Sequence, residues 1–179
     1  MNRVVAILRA INVGGNVVAM RDIARSFLRH GHKEVETWLR TGNVIFSPSQ
    51  GLTIGLDATI EADLFKDLRL KTTVLVRSEK EFRNVMDWNP FPAEAQEDPS
   101  HLVVYFLREL PAKGALDTLA RAHGGPERLS MPYDHLYVVY PKGIARSKLT
   151  LDKIEKALQT SGTGRNWNTV CKLRQLCAH

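Results

Sequence analysis

The same order of predicted strands and helices occurs twice along this chain, and this repeat restricts the fold more than any other feature. Apolar runs rich in β-branched residues predict strands in the first half, and stripes at helical spacing predict helices. The strands cover residues 4–11, 35–40, 43–47 and 71–77, and the helices carry the stripes at 23–28 and 56–64. The first half therefore has the order βαββαβ.

The second half repeats this order. Strands are predicted at 102–107, 127–131 and 136–140, helices at 112–123 and 151–158, and a terminal helix at 170–177. The order is βαββα followed by a terminal helix, without an evident final strand. Two halves with this order are most simply explained by duplication of a ferredoxin-like unit. We expect an α+β fold with antiparallel sheets and an extra C-terminal helix.

A segment with three prolines separates the two halves. Residues 89–100 contain Pro90, Pro92 and Pro99, and their composition is typical of a linker. Just before it, Ser78 and Glu81 have the spacing of a capping box at a helix N-terminus. We therefore predict an N-terminal half at 1–88, a linker at 89–100 and a C-terminal half at 101–179.

Composition narrows the class of protein. The 179 residues are 44% hydrophobic, which suffices for a packed core, and no apolar run approaches the ~18 residues of a membrane span. The start of the chain lacks the pattern of a signal peptide, so we expect a cytoplasmic protein. Cys171 and Cys177 lie in one predicted helix, where six residues rise ~9 Å, and free thiols are expected.

Positive charge is concentrated at the end of the chain. The last 39 residues hold 8 of the 25 Lys and Arg but 2 of the 19 Asp and Glu, and residues 1–140 hold 17 of each. This asymmetry indicates an anionic partner, either a small molecule or nucleotide or a nucleic acid. A solvated basic face is the alternative. We expect no membrane partner, and the sequence leaves the oligomeric state open.

Three loops carry residues suited to anion binding. Gly14 and Gly15 follow the first strand, where backbone N–H groups can point at an anion, although a purely conformational turn is the alternative. Arg146, Ser147 and Lys148 form a polar loop that offers a guanidinium fork, a hydroxyl and a point charge, with a solvated loop as the alternative.

The third loop, which contains Arg165, Asn166, Trp167 and Asn168, is the most distinctive. It offers a stacking plane and polar groups suited to a nucleobase or a sugar phosphate. The alternative is that Trp167 anchors the core and the asparagines cap helices. The candidate residues are Arg165, Asn166, Trp167 and Asn168.

The sequence provides no evident catalytic centre. It has no zinc-ligand spacing, no Gly-x-Ser-x-Gly motif and no complete dinucleotide or Walker motif. We therefore predict no metal and no cofactor, and the sequence does not decide whether the protein is an enzyme.

Five separated segments resemble a known bacterial family, domain of unknown function 1697. The segments are 8–15, 41–46, 89–91, 143–149 and 162–170. Two positions depart from its pattern: Ala10 stands where the family usually has glycine and Thr41 where it usually has serine. The resemblance implies an α+β fold with ferredoxin-like halves and implies no established activity.

The family's most characteristic positions extend the set of candidates, because polar residues on loops commonly contact ligands. The predicted ligand- or anion-binding residues are Arg9, Asn12, Gly14, Gly15, Asn43, Arg146, Ser147, Lys148, Arg165, Asn166, Trp167 and Asn168.

Three functions remain open from the sequence. The first is binding of a phosphorylated small molecule or nucleotide in a basic cleft, and the second is nucleic-acid binding through the basic C-terminal region. The third is an enzyme of phosphoryl or acyl transfer in which Arg146, Lys148 and Arg165 stabilise developing negative charge.

Overall fold

The structure, a computed structural model, describes residues 3–11 and 17–178. The chain divides into two compact units. The first comprises residues 1–83 together with 172–179, and the second comprises residues 84–171. Asn12, Gly14 and Gly15, three of the predicted binding residues, lie outside the described residues.

The first unit contains one four-stranded sheet with helices. Its strands lie in the order β2-β3-β1-β4, and every neighbouring pair is antiparallel. The elements are β1 (Val4–Leu8), α1 (Met20–Arg29), β2 (Lys33–Trp38), β3 (Asn43–Ser47), α2 (Leu56–Leu68), β4 (Val74–Ser78) and α3 (Glu79–Asp87), which continues into the second unit. This is the predicted ferredoxin-like order.

The core of this unit lies between the sheet and its two long helices. Alternate residues of β1, such as Ala6 and Leu8, pack with Ile23 and Phe27 of α1 and with Ile60 of α2. The intervening residues of the strand are buried as well. Burial on both faces explains why β1 has a continuous apolar run rather than an alternating pattern.

The second unit repeats the topology. Its strands lie in the order β6-β7-β5-β8, again all antiparallel. The elements are α4 (Pro92–Glu97), β5 (Leu102–Leu107), α5 (Ala115–His123), β6 (Arg128–Ser130), β7 (His135–Val139), a 3-10 turn (Ile144–Arg146), α6 (Leu151–Leu158), β8 (Gly162–Asn166) and α7 (Trp167–Cys177), whose last part belongs to the first unit. The predicted linker thus contains a short helix, α4.

The final strand, β8, was not evident from the sequence because two of its five residues are glycines. Gly164 lies opposite Tyr105 of β5, and Gly162 lies opposite Leu107. A Cβ at Gly164 would lie 2.8 Å from the Tyr105 ring, and one at Gly162 would lie 2.8 Å from the carbonyl oxygen of Phe106. Close packing therefore requires glycine at both positions. In the sequence alone, the same two glycines are typical of a loop.

One local prediction, the capping box, is confirmed, and a glycine shapes another turn. The capping box forms, since Glu81 N donates to Ser78 Oγ over 3.3 Å and Ser78 N donates to Glu81 Oε2 over 2.7 Å. Gly42, in the tight connection between β2 and β3, has φ +81°, and a Cβ there would lie 2.9 Å from both Leu8 and Ile11. The fold class is confirmed: the described residues form two four-stranded antiparallel sheets and seven α-helices.

Candidate functional site

A large hollow lies at one end of the first unit's sheet. Antiparallel pairing puts Val4, at the start of β1, beside both Phe46 and Ser78, near the ends of β3 and β4. The end of α7 lies at the same place, because Arg3 Nη1 donates to the carbonyl oxygen of Leu176 over 3.0 Å. The hollow, which we call the basic hollow, has a volume of about 810 Å³. Its lining comprises Arg3, Val4, Pro48, Ser49, Gly51, Leu52, Ser78, Glu79, Lys80, Arg83, Arg174, Cys177 and Ala178.

Positive side chains dominate the basic hollow. Four cations and one carboxylate line it, which leaves a formal excess of three positive charges. The carboxylate of Glu79 contacts two of the cations: Arg83 Nη2 lies 2.7 Å from Oε2, and Arg174 Nε lies 3.2 Å from Oε1. Lys80 is exposed and makes no ion pair with any residue that the structure describes. The arrangement has an unbalanced positive potential.

Arg3 supplies a further polar group. Its side chain is 13% exposed, and besides Leu176 it contacts Glu36, whose Oε2 lies 3.0 Å from Nη2. Its Nε is buried and has no hydrogen-bond partner among the described residues. An unsatisfied buried donor costs about 1–3 kcal/mol, so a water molecule or a ligand oxygen at this position would be favourable.

Cys177 contributes a thiol that is held as a donor. Its Sγ donates to the carbonyl oxygen of Arg3 over 2.8 Å. Burial, followed by the charge of Glu79, raises the pKa of the thiol to about 11. Since the thiolate is the nucleophilic form, this cysteine is not activated at neutral pH. It instead ties the end of α7 to β1.

Arg9 and Asn43, two predicted binding residues of the first unit, do not line the basic hollow. Arg9 lines a second hollow of about 830 Å³ together with Lys71, Thr72 and Thr73, and this hollow involves the opposite end of β1. Asn43 is fully buried, and its Nδ2 donates to the carbonyl oxygen of Trp38 and to Thr41 Oγ1. Asn43 thus holds the connection between β2 and β3.

The loop of Arg146, Ser147 and Lys148 lies in the second unit. Ser147 Oγ donates to the carboxylate of Glu127, which also accepts from His123, and Oγ accepts from Leu149 N over 2.9 Å. Burial raises the pKa of Glu127, but these hydrogen bonds outweigh it and hold the pKa below its ordinary value. Arg146 and Lys148 are exposed on either side of the anchored serine.

The last group of predicted residues lies in β8 and the start of α7. Arg165 is buried, and its Nη1 donates to Thr163 Oγ1 and to the carbonyl oxygen of Gly164, both over 2.8 Å. Burial lowers the pKa of this guanidinium to about 10. Because its donors contact neighbouring backbone and hydroxyl groups, its position favours a structural role.

Asn166 is the last residue of β8, and Trp167 is the first residue of α7. Asn166 Oδ1 accepts from Thr169 N over 3.0 Å, as a helix cap does, and the backbone N–H of Trp167 donates to the carbonyl oxygen of Pro99. Trp167 is 8% exposed, whereas Asn168 is exposed. This geometry favours the alternative in which Trp167 anchors the core.

The sequence does not predict the basic hollow. None of the predicted binding residues that the structure describes lines it. Two signals pointed towards it: Arg174 belongs to the basic end of the chain, and the capping box marks the start of α3. The pairing of β1 with β4 and the contact of α7 with Arg3 bring these segments together.

The structure also bears on metals and membranes. Within 3–11 and 17–178, no group of three or more His, Cys, Asp or Glu is arranged to hold a metal ion. In the same described ranges, no helix has the length and apolar character needed to cross a membrane.

The fold defines a class, the α+β proteins built from two ferredoxin-like halves. The chain belongs to the family described as "Protein of unknown function (DUF1697)", whose model matches residues 1–137. It is similar in structure to the conserved bacterial protein SP0830 from Streptococcus pneumoniae, with a TM-score of 0.72 and 18% identity, over 100% of this chain and 99% of that chain. At this identity the likeness shows the fold alone. No curated protein matches the chain.

Proposed function

We propose that this protein binds a small anionic molecule, a phosphorylated metabolite or a nucleotide, in the basic hollow. The observation that carries the proposal is that four cations and one carboxylate line a single hollow of about 810 Å³. This volume falls within the range of small-molecule sites. Guanidinium forks and an ammonium group are the side chains that bind phosphate in proteins.

The energetics favour a ligand over a solely structural role for these charges. Exposed ion pairs contribute only about 0–1 kcal/mol. Glu36 pairs with Arg3, and Glu79 offsets one of the other three cations that line the basic hollow. The positive charges that remain in excess repel one another in the folded state. An anion that binds there removes this repulsion and stabilises the native state by mass action.

The chemistry of the lining supports binding more than catalysis. Of the described residues that line the basic hollow, none is a histidine, and the carboxylate of Glu79 is held by two arginines. The thiol of Cys177 has a pKa of about 11 and stays protonated at neutral pH. General acid–base and nucleophilic catalysis both need a group that titrates near the working pH.

Lys80→Ala tests the proposal because Lys80 is exposed and its removal leaves the core intact. We expect glycerol phosphate, titrated by calorimetry, to bind the variant about three- to tenfold more weakly than the wild type, as expected for one lost charge contact. Lys66→Ala, an exposed lysine on α2, is the matched control and should bind as the wild type does. Equal affinities in all three proteins would contradict the proposal.

A second candidate function is nucleic-acid binding by the second unit. Five cations at 142–156 are exposed and have no ion pair among the described residues, namely Lys142, Arg146, Lys148, Lys153 and Lys156. Phosphate-backbone contacts make such binding steeply salt-dependent. Lys148→Ala should weaken retention of a single-stranded oligonucleotide at low salt and leave glycerol phosphate binding unchanged. No retention by the wild type would exclude this candidate.

A further inference from the structure

Glu79 behaves as an anion already bound in the basic hollow. Its two carboxylate oxygens contact different arginines, Arg83 over 2.7 Å and Arg174 over 3.2 Å. Its side chain is 22% exposed, whereas those of Arg83 and Arg174 are 56% and 40% exposed. Both arginines can therefore be reached from solvent while the carboxylate holds them.

An incoming anion competes with this carboxylate. A ligand with one negative charge that replaces Glu79 on the two arginines only substitutes one single charge for another. Its binding therefore gains little free energy. Arg83, Arg174 and Lys80 carry three positive charges and Glu79 carries one negative charge, so a ligand with two negative charges balances the excess. Lys80 has no ion pair among the described residues. A phosphomonoester carries about −1.5 to −2 at pH 7 and presents three acceptor oxygens.

The place that Glu79 occupies also favours an anion. It is the first residue of α3, a helix of nine residues. The N-terminal end of a helix carries partial positive charge. A phosphate group beside Glu79 is therefore favoured by this partial charge as well as by the two guanidinium groups.

We propose that the ligand of the basic hollow is a phosphomonoester dianion and that Glu79 is the internal counter-ion it displaces from Arg83 and Arg174. This inference rests on the proposed function and adds the class of ligand and a residue that determines specificity. A phosphodiester, which carries one charge, and a simple carboxylate are both disfavoured. Glu79 sets this preference because it makes every anion compete for the arginines.

Glu79→Gln is the decisive variant. The amide keeps the shape of the side chain and one acceptor oxygen but removes the competing charge. We expect glycerol phosphate to bind Glu79→Gln about three- to tenfold more tightly than the wild type. The ligand-free variant should melt at a lower temperature, because two ion pairs are lost. Tighter binding with lower stability is a combination that general damage to the fold does not produce.

A charge-matched control and a second ligand complete the experiment. Glu97→Gln removes one negative charge from an exposed position on α4, and its affinity should equal that of the wild type. Dimethyl phosphate, a monoanion, should bind the wild type at least tenfold more weakly than glycerol phosphate. The affinity for glycerol phosphate should also fall as the pH is lowered through about 6, where the dianion gains a proton.

The outcomes distinguish a failure of the counter-ion inference from a failure of the proposed function. If the wild type binds glycerol phosphate but Glu79→Gln binds it no more tightly, the counter-ion inference is overturned and the proposed function stands. Equal binding of glycerol phosphate and dimethyl phosphate overturns the assignment of a dianion. If the folded wild type binds neither compound, the proposed function fails and the inference fails with it.

Discussion

Ala10 has a backbone conformation that a residue with a side chain seldom adopts. Its φ is +51°, in the left-handed region, and it lies on the second hollow next to Arg9. The related family usually has glycine at this position, and the geometry supplies the reason. An L-residue in this region is strained by roughly 1–2 kcal/mol, and strain of this kind is found at functional sites.

Ala10→Gly should therefore stabilise the protein. Relief of the strain exceeds the entropic cost of glycine in the unfolded chain, and we expect the free energy of unfolding to rise by about 0.5 kcal/mol. Ala62→Gly, in the middle of α2, is the control and should lower it by about 1 kcal/mol. Urea unfolding measures both changes. A loss of similar size in both variants would show that Ala10 is unstrained.

At the scale of elements, the two sheets protect their edges in the same way. β4 and β8 are edge strands, and carboxylates on the preceding helices accept from their backbone N–H groups. Glu61 accepts from Val74 N over 2.8 Å, and Asp57 accepts from Val76 N over 3.2 Å. Glu155 accepts from Gly162 N over 2.9 Å. Covering an edge in this manner prevents pairing with another chain.

Glu61→Ala tests this protection. Removal of the acceptor leaves the half-buried N–H of Val74 unsatisfied, so we expect the free energy of unfolding to fall by about 1–3 kcal/mol. The variant should also aggregate faster, because the edge is open to strand addition. Glu61→Gln keeps an acceptor oxygen and should lose less stability. Urea unfolding and light scattering measure these effects, and identical behaviour of the two variants would argue against the role.

At the scale of the whole molecule, the sequence predicted the architecture better than the site. Apolar runs and helical stripes are local signals, so seven of the eight strands and the repeated order could be found from them. β8 was missed because Gly162 and Gly164 owe their place to packing against β5. The division of the chain at the linker 89–100 stays a prediction.

The candidate site could not be predicted from the sequence because its residues lie far apart along the chain. Arg3 and Leu176 are separated by 173 positions along the chain, and no local pattern links them to Glu79. Polar residues such as Asn43 and Asn166 were identified from the sequence, but their bonds go to backbone and neighbouring hydroxyl groups. A sequence shows which donors a chain has. Only the structure shows which of them the fold has already used.

An NMR titration of the isotopically labelled protein shows directly whether a phosphate group binds in the basic hollow. Glycerol phosphate is added stepwise while the backbone amide signals are followed. We expect saturable shifts concentrated at residues 78–83 and 174–178. Shifts concentrated at 142–156, or no saturable shift at any residue, would contradict this expectation.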